Sequence, residues 1–129
     1  MKTHMEPLSL RLPCDPAALS TLRGAVRDWL DRLEPAESEA AAVVGACSEI
    51  AADAIDSALA DAIEIEGAVD GGDVIVRVSV AGGWGIADSP SRFVAALLVD
   101  DATLETRDDR TSVVLRKSLD LGLRSRRDL

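Results

Sequence analysis

Leu8, Leu10 and Leu12 alternate with Ser9 and Arg11, a two-residue period that predicts a half-buried strand within Met5 to Pro13, ended by the proline. The period then changes to that of a helix. Asp15 followed by Pro16 places a carboxylate at the cap and proline at the first helical position, and Leu19, Leu22, Val26, Trp29, Leu30 and Leu33 make one apolar stripe. A first helix is therefore predicted to about Leu33, stopping before Pro35. A second, from about Ala36 to Ala60, buries Ala40, Val43, Val44, Cys47, Ile50, Ala51, Ala54, Ile55 and Ala58, with Gly45 weakening it slightly but permitting close approach.

The two-residue period returns over Ala62 to Val69 and Val74 to Val80, joined by Asp70, Gly71, Gly72 and Asp73, a turn composition that predicts a hairpin. Val74, Val76, Val78 and Val80 share one face, opposite Ile75, Arg77 and Ser79. Ala81 to Pro90 is a glycine-bearing loop, Arg92 to Asp100 a short helix, and Ala102 to Thr106 with Thr111 to Lys117 a second hairpin across Arg107 to Arg110. Two hairpins and a first strand give a mainly antiparallel sheet, and helices with one apolar stripe each must cover a single face of it. The expected fold class is α+β, a two-layer sandwich. One domain over residues 6–119 is expected, followed by a basic tail at 120–129 with Arg124, Arg126 and Arg127, expected to be disordered.

Composition narrows the class. The chain is 47% hydrophobic and 29% charged, yet its aromatic residues are only Trp29, Trp84 and Phe93, so the core must be aliphatic and rich in alanine. No apolar run approaches the roughly 20 residues needed to span a bilayer, and Met1 to Leu12 lacks the organisation of a signal peptide, so the expected location is cytoplasmic, away from membranes. Cys14 and Cys47 are too few for a disulfide framework or a zinc site and read as thiols. The net charge of -9 excludes direct nucleic-acid binding as an expectation, because phosphate affinity comes from clustered Lys and Arg. Asp28 to Asp73 carries thirteen acidic residues against one basic, Arg32, a local balance of -12, suited to steering a basic protein surface or simply to solubility. Glu37 and Glu39 lie in this region near a helix start, outside the apolar stripe, where reversal to Lys is expected to leave the fold intact.

Candidate chemistry concentrates on the second helix. Glu49 and Asp53 stand one turn apart, with Ser57 a further turn on, opposite the apolar face; from spacing alone this could be one wall of a site or a solvated acidic face. The stretch resembles the N-box of the histidine-kinase-like ATPase (GHKL) superfamily, whose pattern is Glu, three residues, Asn, Ala, two residues, His, and which stands here as Glu49, Asp53, Ala54 and Ser57. The order of elements and the length are most similar to the small anti-sigma factors that act as serine-protein kinases, including the actinobacterial sigma-F branch.

The resemblance implies a function and a site. In that family the Glu, here Glu49, activates the attacking hydroxyl, and the Asn, here Asp53, ligates magnesium. Aspartate can serve a hard cation, though without metal it places a negative charge toward the phosphates. The glycine motif Asp-x-Gly-x-Gly falls on Ala81, Gly82, Gly83, Trp84 and Gly85. Its Asp, which would hold the adenine amino group, is Ala81; losing such a charged hydrogen bond, worth about 1.5–3 kcal/mol, weakens binding by roughly ten- to a hundredfold. By spacing alone the simpler reading of Gly82, Gly83 and Gly85 is a tight strand exit. No Gly lies between Gly85 and Gly122 to supply the family's second phosphate grip, while Thr111 sits where members often place a Thr near the adenine. The implied cofactors are ATP and magnesium, weakly bound if at all. The implied partners are a sigma factor and an anti-sigma antagonist, in a homodimer. The expected function is anti-sigma-type binding, with an active serine/threonine kinase or a scaffold unrelated to transcription as alternatives.

Overall fold

The computed structural model describes residues 5–57 and 59–120. The alternating leucines form β1 (Leu8–Pro13), followed by α1 (Ala18–Asp31), α2 (Glu37–Ser57), β2 (Ala62–Asp70), β3 (Asp73–Ala81), a single 3-10 turn (Gly85–Asp88), α3 (Pro90–Leu98), β4 (Asp101–Arg107) and β5 (Arg110–Ser118). The strands make one sheet in the order β1-β2-β3-β5-β4, with every neighbouring pair antiparallel. The α+β class expected from the pattern is the one observed.

The valines of β3 are all buried and face α2, and register places Val78 between Ile65 of β2 and Val113 of β5. Leu22, Val26 and Leu30 of α1, with Val43, Cys47 and Ile50 of α2, complete this core. Each such side chain contributes about 1.5–3 kcal/mol on full burial. Trp29 of α1 is the large piece. Its indole lies across Gly67 of β2, where an added Cβ would come within 2.9 Å of the ring, and its N–H donates to the Glu6 carbonyl at 3.0 Å, which ties down the start of β1.

The far face of the sheet is polar. Glu64 forms ion pairs with both Arg11 and Arg110 at 3.0 Å, and Arg77 reaches Glu105 at 3.0 Å. Ser79, expected on a solvent face, is buried; Arg110 donates to its hydroxyl at 3.2 Å, because small side chains at the sheet centre are roofed by long ones.

Element boundaries differ from expectation for local reasons. Pro16 lies in a preceding turn, not in α1: the Asp15 carboxylate accepts from the Ala17 N–H at 2.8 Å and its carbonyl from the Ala18 N–H at 2.8 Å, so the helix starts two residues later. α1 ends at Asp31 because Leu33 and Glu34 turn back on carbonyls three residues earlier and Glu34 takes φ 50°. α3 begins at Pro90 rather than Arg92, since Ser89 caps it and proline fits the first position. α2 ends at Ser57; Ala58 and most of the expected tail, 121–129, lie outside the described residues. Glu37 and Glu39 are not the free acids they resembled. Glu37 pairs with Arg27 of α1, while Glu39 accepts from the Ala36 N–H at 3.1 Å and the Asp120 N–H at 2.9 Å, joining the start of α2 to the end of the described chain. Among the described residues, no helix is long and apolar enough to cross a membrane.

Candidate functional site

Helical spacing puts Gly45, Glu49 and Asp53 on one line along α2, and α3 runs beside that line in the opposite direction. A Cβ at Gly45 would meet the Leu98 side chain at 3.5 Å, while Ser89, at the other end of α3, donates to Asp53. Glu49 stands between, half-buried, one turn from each. Asp53 is therefore where three elements meet: α2, the glycine loop and the start of α3.

Its carboxylate is crowded with donors. The indole N–H of Trp84 donates to Oδ1 at 2.7 Å, and the Ser89 hydroxyl donates to Oδ2. The Ser57 hydroxyl lies 2.9 Å from Oδ1 and 2.7 Å from the Asp53 carbonyl oxygen. Burial pushes the Asp53 carboxyl up, but the hydrogen bonds from Ser89, Trp84 and Ser57 outweigh it and hold the group below its ordinary value. Ser89 also accepts from the Ser91 N–H at 3.2 Å, so one hydroxyl caps α3 and fastens that cap to α2.

The glycine loop is pinned at both ends. At its start Gly82, with φ 82°, donates its N–H to the Asp109 carbonyl at 2.5 Å, and its own carbonyl accepts from the buried Thr111 hydroxyl at 2.8 Å. Further on, Trp84 is only 8% exposed and Ile86 is fully buried, so the loop folds its two large apolar side chains inward. Ala81, at the end of β3 opposite Arg110, and Gly83 and Gly85 are exposed. Of the expected site residues, Asp53 and Ser57 are in contact, Thr111 holds the loop carrying Gly83 and Gly85, and Glu49 is one turn from Asp53. Trp84 and Ser89 were not among the expected site residues, although Ser89 before Pro90 is a helix-start signature that sequence can show.

A carboxylate offers about four acceptor positions. Trp84, Ser89 and Ser57 take three of these on Asp53, so a magnesium ion there would compete with them for the carboxylate. As arranged, with donors already on Asp53 and Ala81 at the end of β3, these residues fit a metal-nucleotide pair poorly. An open groove of about 360 Å³ does reach Asp53 from the α1 side, lined by Pro16, Leu19, Ala52, Ile55, Asp56 and Ser91; neither Glu49 nor the loop glycines line it.

No protein-family model matches the chain, and no curated protein does. Among solved structures it is similar to that of the RsbU and RsbW domains of Rv1364c from Mycobacterium tuberculosis, with a TM-score of 0.76 and 29% identity over 89% of this chain. The five-stranded antiparallel sheet and three helices match the RsbW fold. The chain spans about a third, 33%, of that solved chain's length.

Proposed function

We propose that this chain is a regulatory domain of the anti-sigma type, acting by binding a sigma factor or an antagonist protein rather than by transferring phosphate, in the cytoplasm. The likeness to a structure containing an RsbW domain supports the first half. The observation that carries the second is the engagement of Asp53 by Trp84, Ser89 and Ser57, because phosphoryl transfer needs metal, base and phosphate positioning together. Binding needs none of these.

One observation favours the kinase alternative. Glu49 makes no side-chain hydrogen bond among the described residues and is half-buried, as a base awaiting a substrate hydroxyl would be. Calorimetry with Mg-ATP separates the readings. We expect no binding at micromolar nucleotide; a low-micromolar dissociation constant, with phosphorylation of an antagonist abolished by Glu49→Ala, would put the kinase first. Copurification from the native cell tests the partner class, and recovery of neither a sigma factor nor an antagonist would leave the unrelated scaffold. We also propose a homodimer, which light scattering showing a monomer at tens of micromolar would remove.

A further inference from the structure

Helix α3 shows solvent a face that a free surface helix would not be expected to have. Phe93, Val94 and Leu97 are 62%, 41% and 86% exposed, whereas Ala95 is fully buried. At about 100° per residue these three lie within one arc of roughly 100°, opposite Ala95, and Pro90 falls in the same arc. No polar residue of α3 shares it. Arg92, the helix's one charged residue, lies outside that arc and is half-buried.

The surroundings of this strip are acidic. Glu49 lies along its α2 side, midway between the Gly45 and Asp53 contacts described above. Asp88 precedes the helix and Asp101 follows it, both exposed, and exposed Asp56 lies just beyond Asp53 on α2. Among the described residues none of these four carboxylates takes part in an ion pair. On the sheet Glu64 is partnered by Arg11 and Arg110 and Asp73 by Arg116, while Glu66 and Asp70, far from α3 in the chain, take part in no ion pair among the described residues either. An apolar strip bordered by unpaired carboxylates is complementary to an apolar stripe bordered by cations.

We infer that the exposed face of α3, with Glu49, Asp56, Asp88 and Asp101 around it, is a docking surface for a basic amphipathic helix of a partner protein. Phe93 and Leu97 supply the apolar contact, and the carboxylates set orientation and association rate. A second copy of this chain is a poor occupant of this surface, because symmetric pairing through it would bring the same four carboxylates of each copy together. This surface and its partner chemistry lie beyond the function proposed above and hold whichever protein presents that helix.

The test uses the whole chain and a synthetic helical peptide of about 14 residues built from leucine and lysine, with a leucine-glutamate peptide of the same pattern as its counterpart. Binding is followed by fluorescence anisotropy. The leucine-lysine peptide should bind more weakly as salt rises, and the leucine-glutamate peptide should not bind. Phe93→Ser and Leu97→Ser, both at exposed positions, should each weaken binding by about tenfold. Glu49→Gln combined with Asp88→Asn should weaken it about two- to threefold, whereas the same loss of charge elsewhere, in Glu66→Gln combined with Asp70→Asn, should not. Equal loss in that control pair, or unchanged affinity in Leu97→Ser, would overturn the inference. So would a dimer by light scattering that Leu97→Ser converts to monomer, since the occupant would then be a second copy. None of these results bears on whether the native partner is a sigma factor, which copurification decides separately.

Discussion

Asp53 shows how a single carboxylate changes meaning with its neighbours. By resemblance it is the expected metal ligand; in the fold it is the acceptor for an indole and two hydroxyls from three parts of the chain. Asp53→Asn keeps the size but turns one oxygen into a donor facing another donor. We expect a loss of about 1–3 kcal/mol in urea unfolding, with Trp84 emission moving to longer wavelength in a Trp29→Phe background. The pH sign follows from the depressed native pKa. The stabilisation is fully present above the unfolded value of about 3.9 and is lost as pH falls through the lower native one, so the emission change should begin below about pH 4 and be absent between 5 and 8. Cys47 offers a second residue-scale check. Burial pushes its thiol up to about 12, so a thiol reagent at neutral pH should modify Cys14 and reach Cys47 only on unfolding.

At the scale of elements, Gly67 is the position with least freedom. It sits mid-strand in β2 with the Trp29 ring and the Leu8 Cβ within 3.1 Å of where an added Cβ would stand, so Gly67→Ala must push them aside. A cost of about 1–3 kcal/mol is expected, read as a lower urea midpoint with unchanged slope. Nothing in the alternation of Ile63 and Ile65 announces this, because the cause is a side chain on α1. The strands and long helices were legible since each depends on its own period: the valines of β3 predict their burial without reference to anything else. What was not legible depends on partners distant in sequence. Glu39 looks like an ordinary acid until the Asp120 N–H arrives beside it, and Ser79 looks exposed until Arg110 of β5 covers it. The glycines of Gly-Gly-Trp-Gly were legible as a loop; that its tryptophan would take hold of α2 was not.

Over the whole molecule, charge and shape are arranged unequally. The sheet's far face sets Arg11, Arg77 and Arg110 against Glu64 and Glu105, whereas Glu49, Asp56, Asp88 and Asp101 take part in no ion pair among the described residues. Reversal of Glu37 and Glu39 is thus a poor probe of long-range steering, because it also breaks contacts to Arg27, Ala36 and Asp120. The strand order has a consequence of its own for how the molecule opens. β3 is bonded on both sides, while β1 and β4 have one neighbour each. Amide protons should therefore exchange with solvent in sequence across the sheet, slowest at Val76 and Val78 and faster toward either margin. At the β1 margin the rate should depend on the Trp29 indole that holds Glu6. Hydrogen exchange on Trp29→Phe should show β1 released early while the centre keeps its protection; uniform acceleration of every strand would mean instead that the sheet opens only as a unit.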